Sequence, residues 1–544
     1  MSGPAQGVAG AAAAPDPDLT GRAGAVTPRS ARRARWAWAA VFTVVAVGLF
    51  AAYIRLSATY PVNSDGANII LMSWDMLHGN VALHGWWMSD VSFYTTELPE
   101  YVLLDAIRGL RADVTHIAAA LTYTLALVLA ALLAKGRATA GEGVARAAIT
   151  AGIMLAPQLG AGIFILLLSV GHIGTAVPIL AVWLLLDRAS ARWYVPVIAG
   201  VMLAWAMVAD SLVLVVAIAP LIIVATARAV RLVAGRTALR GAWYEISLAA
   251  AAAAAIGAAW LGQQAIRAAG GYTLHAVPFS WAPAAQLGRH AVNVGDSLLT
   301  LFGANFGHLH SPAAIAFAAV HLTGLALVAW ALCRVLRRPS AAGLVDQVLV
   351  VAILVNVAVY LCSSFSNGVL NGREIALVLP FGAALAGRSL GPRVRGTRLV
   401  PVLLAALAAY TAALGYQLAQ PVSPPANARL AVWLEQHHLS HGLSGYWQGS
   451  AVTADSGGAV TIRALTTSAG RLVPYQWEAK RSWYDPGTQD ADFVVLQDQP
   501  GFFNYWEPVS QVTATFGRPA QTYHTGPYTV LVWPGRNLLQ GLGR

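Results

Sequence analysis

Apolar runs, each closed by a short basic or polar stretch, repeat along most of this 544-residue chain. A run of about 20 apolar residues is long enough to cross a bilayer as a helix. The pattern predicts eleven spans, near 36–54, 115–134, 147–168, 173–187, 194–209, 211–227, 243–266, 313–332, 345–363, 374–390 and 399–419. Before them, residues 1–35 are Ala-, Gly- and Pro-rich and lack periodicity, which predicts a disordered cytoplasmic tail. The first run follows Arg32, Arg33 and Arg35 and no small-residue cleavage site closes it, so it reads as a signal anchor. Beyond Pro421, Pro424 and Pro425 the pattern changes. NARLAVWLEQHHL has helical spacing at Leu430, Trp433, Leu434 and His438, whereas AVTIRAL, DFVVLQ and YTVLVW read as strands between Gly, Pro and Asp turns. Residues 420–544 are therefore expected to form a small extracytoplasmic α/β or α+β domain, and residues 36–419 a transmembrane domain with its long outer loop at 55–114.

Composition supports the same class. The chain is 57% hydrophobic and 11% charged, against roughly 25% charged in soluble proteins. Its net charge of +11 is placed by topology rather than by a nucleic-acid partner. Lys135, Arg137 and Arg146, then Arg188 and Arg192, Arg228 to Arg240, Arg334 to Arg338 and Arg388 to Arg398 fall in alternate connections. The intervening connections hold fewer basic residues, which predicts the N-terminus inside and the C-terminus outside. The spans place Cys333 and Cys362 near opposite membrane faces, so they are not expected to pair.

With that orientation the acids and histidines collect on the outer face. The densest stretch is YPVNSDGANIILMSWDMLHGNVALHGWWMSDVSFYTTELPEY (60–101), which holds Asp65, Asp75, Asp90, Glu97 and Glu100 of only 24 acidic residues in the chain. Asp65, in NSDG, sits in a turn just beyond the first span; it reads either as a general base or as the N-cap of the helix that follows. SDVSFYTTELPEY supplies Asp90, Tyr94, Glu97 and Glu100 ahead of an amphipathic helix ending near Gly109, whose N-terminus the glutamates also suit. A pair of acids here leaves open a divalent cation, Mg or Mn. His172 in VGHIGT and Asp210 in MVADSL lie at outer span ends, where an ionisable residue is either functional or an ordinary turn residue. Arg373 and Glu374 head a span and pair with each other or hold a phosphate. Arg267, Arg289 and the pair His308 and His310 are weaker candidates. The aromatics of the last region, among them Tyr446, Trp447, Tyr475, Trp477, Trp483, Tyr484, Phe502, Phe503, Tyr505 and Trp506, suit either packing or a sugar platform. No Walker A, dinucleotide fingerprint, nucleophile elbow or HExxH stands in a credible context.

One N-terminal span, an acid in the long outer loop after it, many further spans and an outer C-terminal domain resemble the GT-C superfamily of integral membrane glycosyltransferases. Its members include protein O-mannosyltransferases and the lipid A aminoarabinose transferase. The resemblance implies a polyprenyl-phosphate-linked sugar donor, a glycan, lipid or protein acceptor, and chemistry at the extracytoplasmic face of the plasma membrane. It places the catalytic Asp at Asp65, where Gly66 stands in place of a frequent second acid. Glu97 is the expected catalytic companion, with Asp90, Tyr94, His172, Asp210, Arg373 and Glu374 binding substrate. The implied reaction is a single inverting displacement. A transporter or lipid flippase would instead carry ionisable residues at mid-membrane, and a non-catalytic cell-envelope scaffold would have no need of the acidic loop.

Overall fold

The computed structural model describes residues 28–138, 140–168, 171–235, 239–307, 309–394, 398–497 and 509–543. His308, Arg236, Arg395, the start of the tail and Phe502, Phe503, Tyr505 and Trp506 lie outside them. The chain divides into two compact units, Met1–Leu49 and Phe50–Arg544. A helix runs over Pro28–Ser57, so residues 28–35, expected in the tail, are helical.

Among the described residues, seven helices are long and apolar enough to cross a membrane: Ala40–Ser57, Val114–Lys135, Leu214–Ala234, Arg240–Ala268, Pro312–Arg337, Leu344–Cys362 and Leu399–Leu418. Val369–Ile375 and Val378–Val394, bent by 59° at their junction, make an eighth if taken as one span. By length and apolarity, the described residues thus mark fewer spans than the eleven expected. The run 147–168 is split into Ala140–Met154 and Ala161–Leu167. Pro157 cannot donate to a helix ladder, and Gly160 takes φ +73° before the second piece. The next two expected spans are short, Ala176–Arg188 and Tyr194–Ala209. Apolar periodicity records burial and does not separate a full span from a short helix packed inside the bundle. Trp183 and Leu180 are fully buried, as such packing requires. Other helices turn large apolar side chains outward: Trp260 is 59% exposed, Leu261 61% and Val402 62%, a surface that lipid would cover.

Polar contacts tie the helix ends together. Arg388 reaches Asp187 at 2.8 Å and Asp346 at 2.5 Å, and also donates to the Leu133 carbonyl at 2.9 Å. Cys333 and Cys362 are free thiols.

The region after Leu418 is built on a mixed sheet. Strands β1 (Trp86–Met88) and β2 (Thr273–Leu274) belong to the helical part of the chain. β3 (His441–Ser444), β4 (Thr461–Ser468), β5 (Arg471–Pro474), β6 (Ala479–Lys480), β7 (Phe493–Gln497), β8 (Gln521–Thr525) and β9 (Tyr528–Val532) follow. The larger sheet has the order β5-β4-β3-β7-β9-β8. β3 is parallel to β4 and β7, and the helix Tyr446–Asp455 crosses from β3 to β4. Alternating side chains bury both faces, as a period of two demands. Val494, Leu496 and Leu531 pack with Phe516 and Trp533 on one side. Phe493, Val495, Val530 and Val532 pack on the other with Leu430 and Leu434 of the helix Ala428–Gln436. That helix ends before His438, which takes φ +57° and so does not continue its apolar face.

The smaller sheet, β2-β1-β6, is what positions the site. It joins the loop after the first span to the C-terminal region, with Trp87 registered against Thr273 on one side and Ala479 on the other. Beside it Asp75 accepts from Lys480 Nζ at 2.9 Å, Trp86 Nε1 at 2.7 Å and Asn80 Nδ2 at 2.6 Å.

Candidate active site

Asp65 lies in the first turn of the helix Ser64–Leu77. Its expected alternative role as N-cap belongs to Asn63, which has extended backbone and accepts from the Gly66 amide at 3.1 Å. A Cβ on Gly66 would lie 3.1 Å from Thr115 Cγ2, so the helix approaches Val114–Lys135 too closely for a second acid to fit easily at position 66. Asp65 is thereby free to face a cavity of about 480 Å³.

That cavity has three contributors. The first loop gives Asp65, Asp90 and Phe93; the connections between helices give His172, Arg373 and Glu374; the C-terminal region gives Tyr446, Trp447, Tyr475, Trp477 and Glu478. A second cavity, of about 380 Å³, shares Asp90, His172, Val277 and Glu374 with the first. Its other walls are mainly apolar and aromatic, including Leu212, Val215, Phe279, Val359 and Phe365, with Arg267 and His275 among them.

Between the cavities lies a buried ion chain. His172 Nδ1 meets Asp210 Oδ2 at 2.8 Å and His172 Nε2 meets Glu374 Oε2 at 3.0 Å. Thr175 Oγ1 donates to Asp210 Oδ2 at 2.5 Å, the Leu212 amide to Asp210 Oδ1 at 2.8 Å, and Arg373 Nε stands 3.7 Å from Glu374 Oε1. An imidazole with a carboxylate at each nitrogen is a donor on both sides, so it carries a proton. Burial disfavours the imidazolium, but Asp210 and Glu374 outweigh it and hold His172 well above its usual value. Burial likewise opposes ionisation of Asp210, and His172 more than reverses that.

Of the residues expected to form the site, Asp65, Asp90, His172, Arg373 and Glu374 share the larger cavity. Asp210 does not line it; only 1% exposed, it orients His172 from behind. Glu97 is not beside Asp65. It is buried against Gly174, where a Cβ would stand 1.8 Å from Glu97 Oε1. Burial raises its carboxyl to about 7. It directly precedes the helix Leu98–Arg108 and makes no cap hydrogen bond there. Tyr94 is also absent from the cavity wall; its hydroxyl donates to the Val81 carbonyl at 3.2 Å and its ring packs on Tyr272.

The companion of Asp65 comes from the C-terminal region. Tyr446 Oη lies 2.7 Å from Asp65 Oδ1 and 2.7 Å from Glu478 Oε2, while Asn68 Nδ2 donates to Glu478 Oε2 at 3.3 Å. Burial pushes the Asp65 carboxyl up, with the Tyr446 hydrogen bond, Arg373 and Asn63 pulling the other way. Burial, then the charge of Asp65, raises Glu478 to about 8. Sequence spacing gave no sign of this pairing; the only hint was that Glu478 is an acid set among aromatics. Among the described residues no three His, Cys, Asp or Glu side chains converge on a metal position, and the Asp65 and Glu478 carboxyls are bridged by a phenol. This donor set does not fit the divalent cation that the sequence left open.

No family model matches the chain, and no curated protein matches it. Among solved structures it is similar to the Archaeoglobus fulgidus oligosaccharyltransferase in the apo form, at 12% identity and TM-score 0.42 over 83% of this chain and 69% of that one. It is similar to ArnT from Cupriavidus metallidurans in the apo state, at 15% identity and TM-score 0.40 over 94% of this chain and 100% of that one. A third similarity is to the arabinofuranosyltransferase AftD from Mycobacteria, at 14% identity and TM-score 0.36, over 89% of this chain and 41% of that one.

Proposed function

We propose that this protein is a membrane glycosyltransferase of the GT-C type. In this reading it moves a sugar from a polyprenyl-phosphate donor to an acceptor hydroxyl on the extracytoplasmic side, with Asp65 as general base. The observation that carries the reading is the pair of adjoining cavities. One is carboxylate- and aromatic-lined around Asp65; the other is largely apolar with Arg267 and His275, and both share the wall of Asp90, His172 and Glu374. An amphipathic donor with a greasy chain and a phosphate suits the second cavity, and a polar acceptor suits the first, where Trp447 and Trp477 offer flat faces to a sugar ring.

The chemistry follows from placement. Asp65 Oδ1 is held by Tyr446, whereas Oδ2 has only a 3.5 Å contact with Asn63 Nδ2, so Oδ2 is the atom that takes the acceptor proton. The acceptor oxygen forms its bond to the anomeric carbon as the bond from that carbon to the phosphate oxygen breaks. The electron pair leaves with the lipid phosphate, and attack from the opposite side inverts the centre. Arg373 on the wall of the first cavity and Arg267 on the wall of the second oppose the negative charge that develops where the two adjoin.

Asp65→Asn tests this. Asn keeps an oxygen for Tyr446 and should fold normally, but it cannot take a proton; loss of a general base lowers turnover by roughly 10²–10⁴-fold. The assay uses the purified full chain in lipid with a panel of polyprenyl-phosphate sugars, scoring release of the lipid phosphate. Unchanged turnover in the variant would overturn the assignment of Asp65, and no turnover with any donor in the unaltered protein would favour a transport or scaffold role.

A further inference from the structure

We infer that Asp65 and Glu478 form a carboxyl pair that shares one proton through the Tyr446 hydroxyl, so that the C-terminal region sets the state of the base rather than merely covering it. The inference rests on the proposed role of Asp65 for its functional meaning, but its physical content does not.

Tyr446 Oη is 2.7 Å from a carboxyl oxygen on each side. A phenol has one proton to donate. Two hydrogen bonds of this length therefore need a second proton, carried by one of the carboxyls and donated to the phenol oxygen. Were both carboxyls ionised, one 2.7 Å contact would set an oxygen lone pair against a carboxylate in a buried site. Like charges sharing a site keep one member protonated.

The surroundings say which carboxyl holds the proton. Glu478 is 5% exposed, and the side chains that hydrogen-bond it, Tyr446, Asn68 and Ser89, are all neutral. Asp65 faces the cavity, with Arg373 the cation acting on it. The direction of proton donation is then Glu478 to Tyr446 to Asp65, ending on Oδ1. Asp65 stays ionised, its ring-side oxygen is fixed, and its other oxygen is presented to the acceptor. The other charged or titratable groups around this trio are Asp90, His172, Glu374 and Tyr475 on the same cavity wall, the Tyr475 ring packing on that of Tyr446; Lys480, two residues beyond Glu478, is engaged with Asp75. Glu478 and Tyr446 are positioning residues: neither takes the acceptor proton.

Infrared difference spectroscopy on the full chain in lipid tests the shared proton without turnover. The wild-type minus Glu478→Gln spectrum should contain a protonated-carboxyl stretching band at neutral pH, fading as pH rises through about 8. Asp65→Asn removes the neighbouring negative charge, so the same band should fade at lower pH. A role for Glu478 in packing alone would not couple its titration to residue 65. Absence of the band at neutral pH, or a midpoint unmoved by Asp65→Asn, would overturn the proposal.

In the transfer assay Glu478→Gln should remain active and lose the alkaline decline of the wild-type pH profile, while Tyr446→Phe should lower kcat and shift the acid limb. Inactivity of the wild type would sink the glycosyltransferase reading and leave the spectroscopic result standing. An active wild type with profiles identical in all three proteins would sink the pair and leave Asp65 as the base.

Discussion

Replacing His172 by Ala removes the centre of a buried three-ion chain and leaves two carboxylates behind. Their environments differ. The Asp210 side chain is 1% exposed, whereas that of Glu374 is 19% exposed, faces both cavities and lies 3.7 Å from Arg373. Glu374 can therefore be hydrated and the stranded charge is mainly Asp210. Breaking a buried pair by deleting one partner costs roughly 3–5 kcal/mol. Asp210 keeps its bonds from Thr175 at 2.5 Å and the Leu212 amide at 2.8 Å; this puts His172→Ala at the lower end, about 3 kcal/mol. The double variant His172→Ala with Asp210→Asn removes the stranded charge and should recover at least half of the loss. Thermal unfolding of the purified protein in detergent, followed by near-ultraviolet circular dichroism, should rank wild type above the double variant and the double variant above the single. A single variant as stable as wild type, or a double no better than the single, would refute the ion chain. The pH dependence has a definite sign. His172 is raised in the folded protein, so its contribution is full below about 6.5 and is lost as pH climbs through the raised value. Asp210 is lowered, so its contribution is full above about 3.9 and is lost as pH falls through the depressed value.

Three further outcomes follow from other contacts. Gly174→Ala sets a Cβ 1.8 Å from Glu97 Oε1 and 2.3 Å from Cδ, so it should destabilise by at least about 1–3 kcal/mol; adding Glu97→Ala should restore the unfolding temperature. Asp75→Ala strands the Trp86 indole N–H and loosens Lys480, a loss of roughly 1–3 kcal/mol, and limited proteolysis should open the C-terminal region faster than in wild type. Lys480→Met should have a smaller effect. Burial raises Glu97 to about 7, Glu100 to about 8 and Asp105 to about 7. Their folded forms hold protons that the unfolded chain releases above about 4, so stability should decline as pH rises from about 4 and level off above about 8; unfolding temperatures that rise over this window would contradict it.

The amino-acid pattern alone determined that this is a chain of apolar helices followed by a strand-rich region, because burial in lipid or in a sheet imposes its period directly on neighbouring residues. AVTIRAL, DFVVLQ and YTVLVW became β4, β7 and β9 for that reason. The concentration of acids after the first span also marked Asp65, since a cap and a helix start are local events at Asn63 and Ser64. Which apolar runs form full spans was not written locally. A short packed helix such as Ala176–Arg188 and a longer lipid-facing one such as Pro312–Arg337 carry the same composition, and only their neighbours distinguish them. The partners of Asp65 were hidden still further. Tyr446 lies 381 residues away and reaches it because β6 pairs with β1 and draws the C-terminal region onto the first loop. Glu97, near in sequence, packs instead against Gly174. Sequence proximity fixes backbone geometry over a turn or two, whereas the meeting of two carboxyls on one phenol depends on long-range packing that no local pattern encodes.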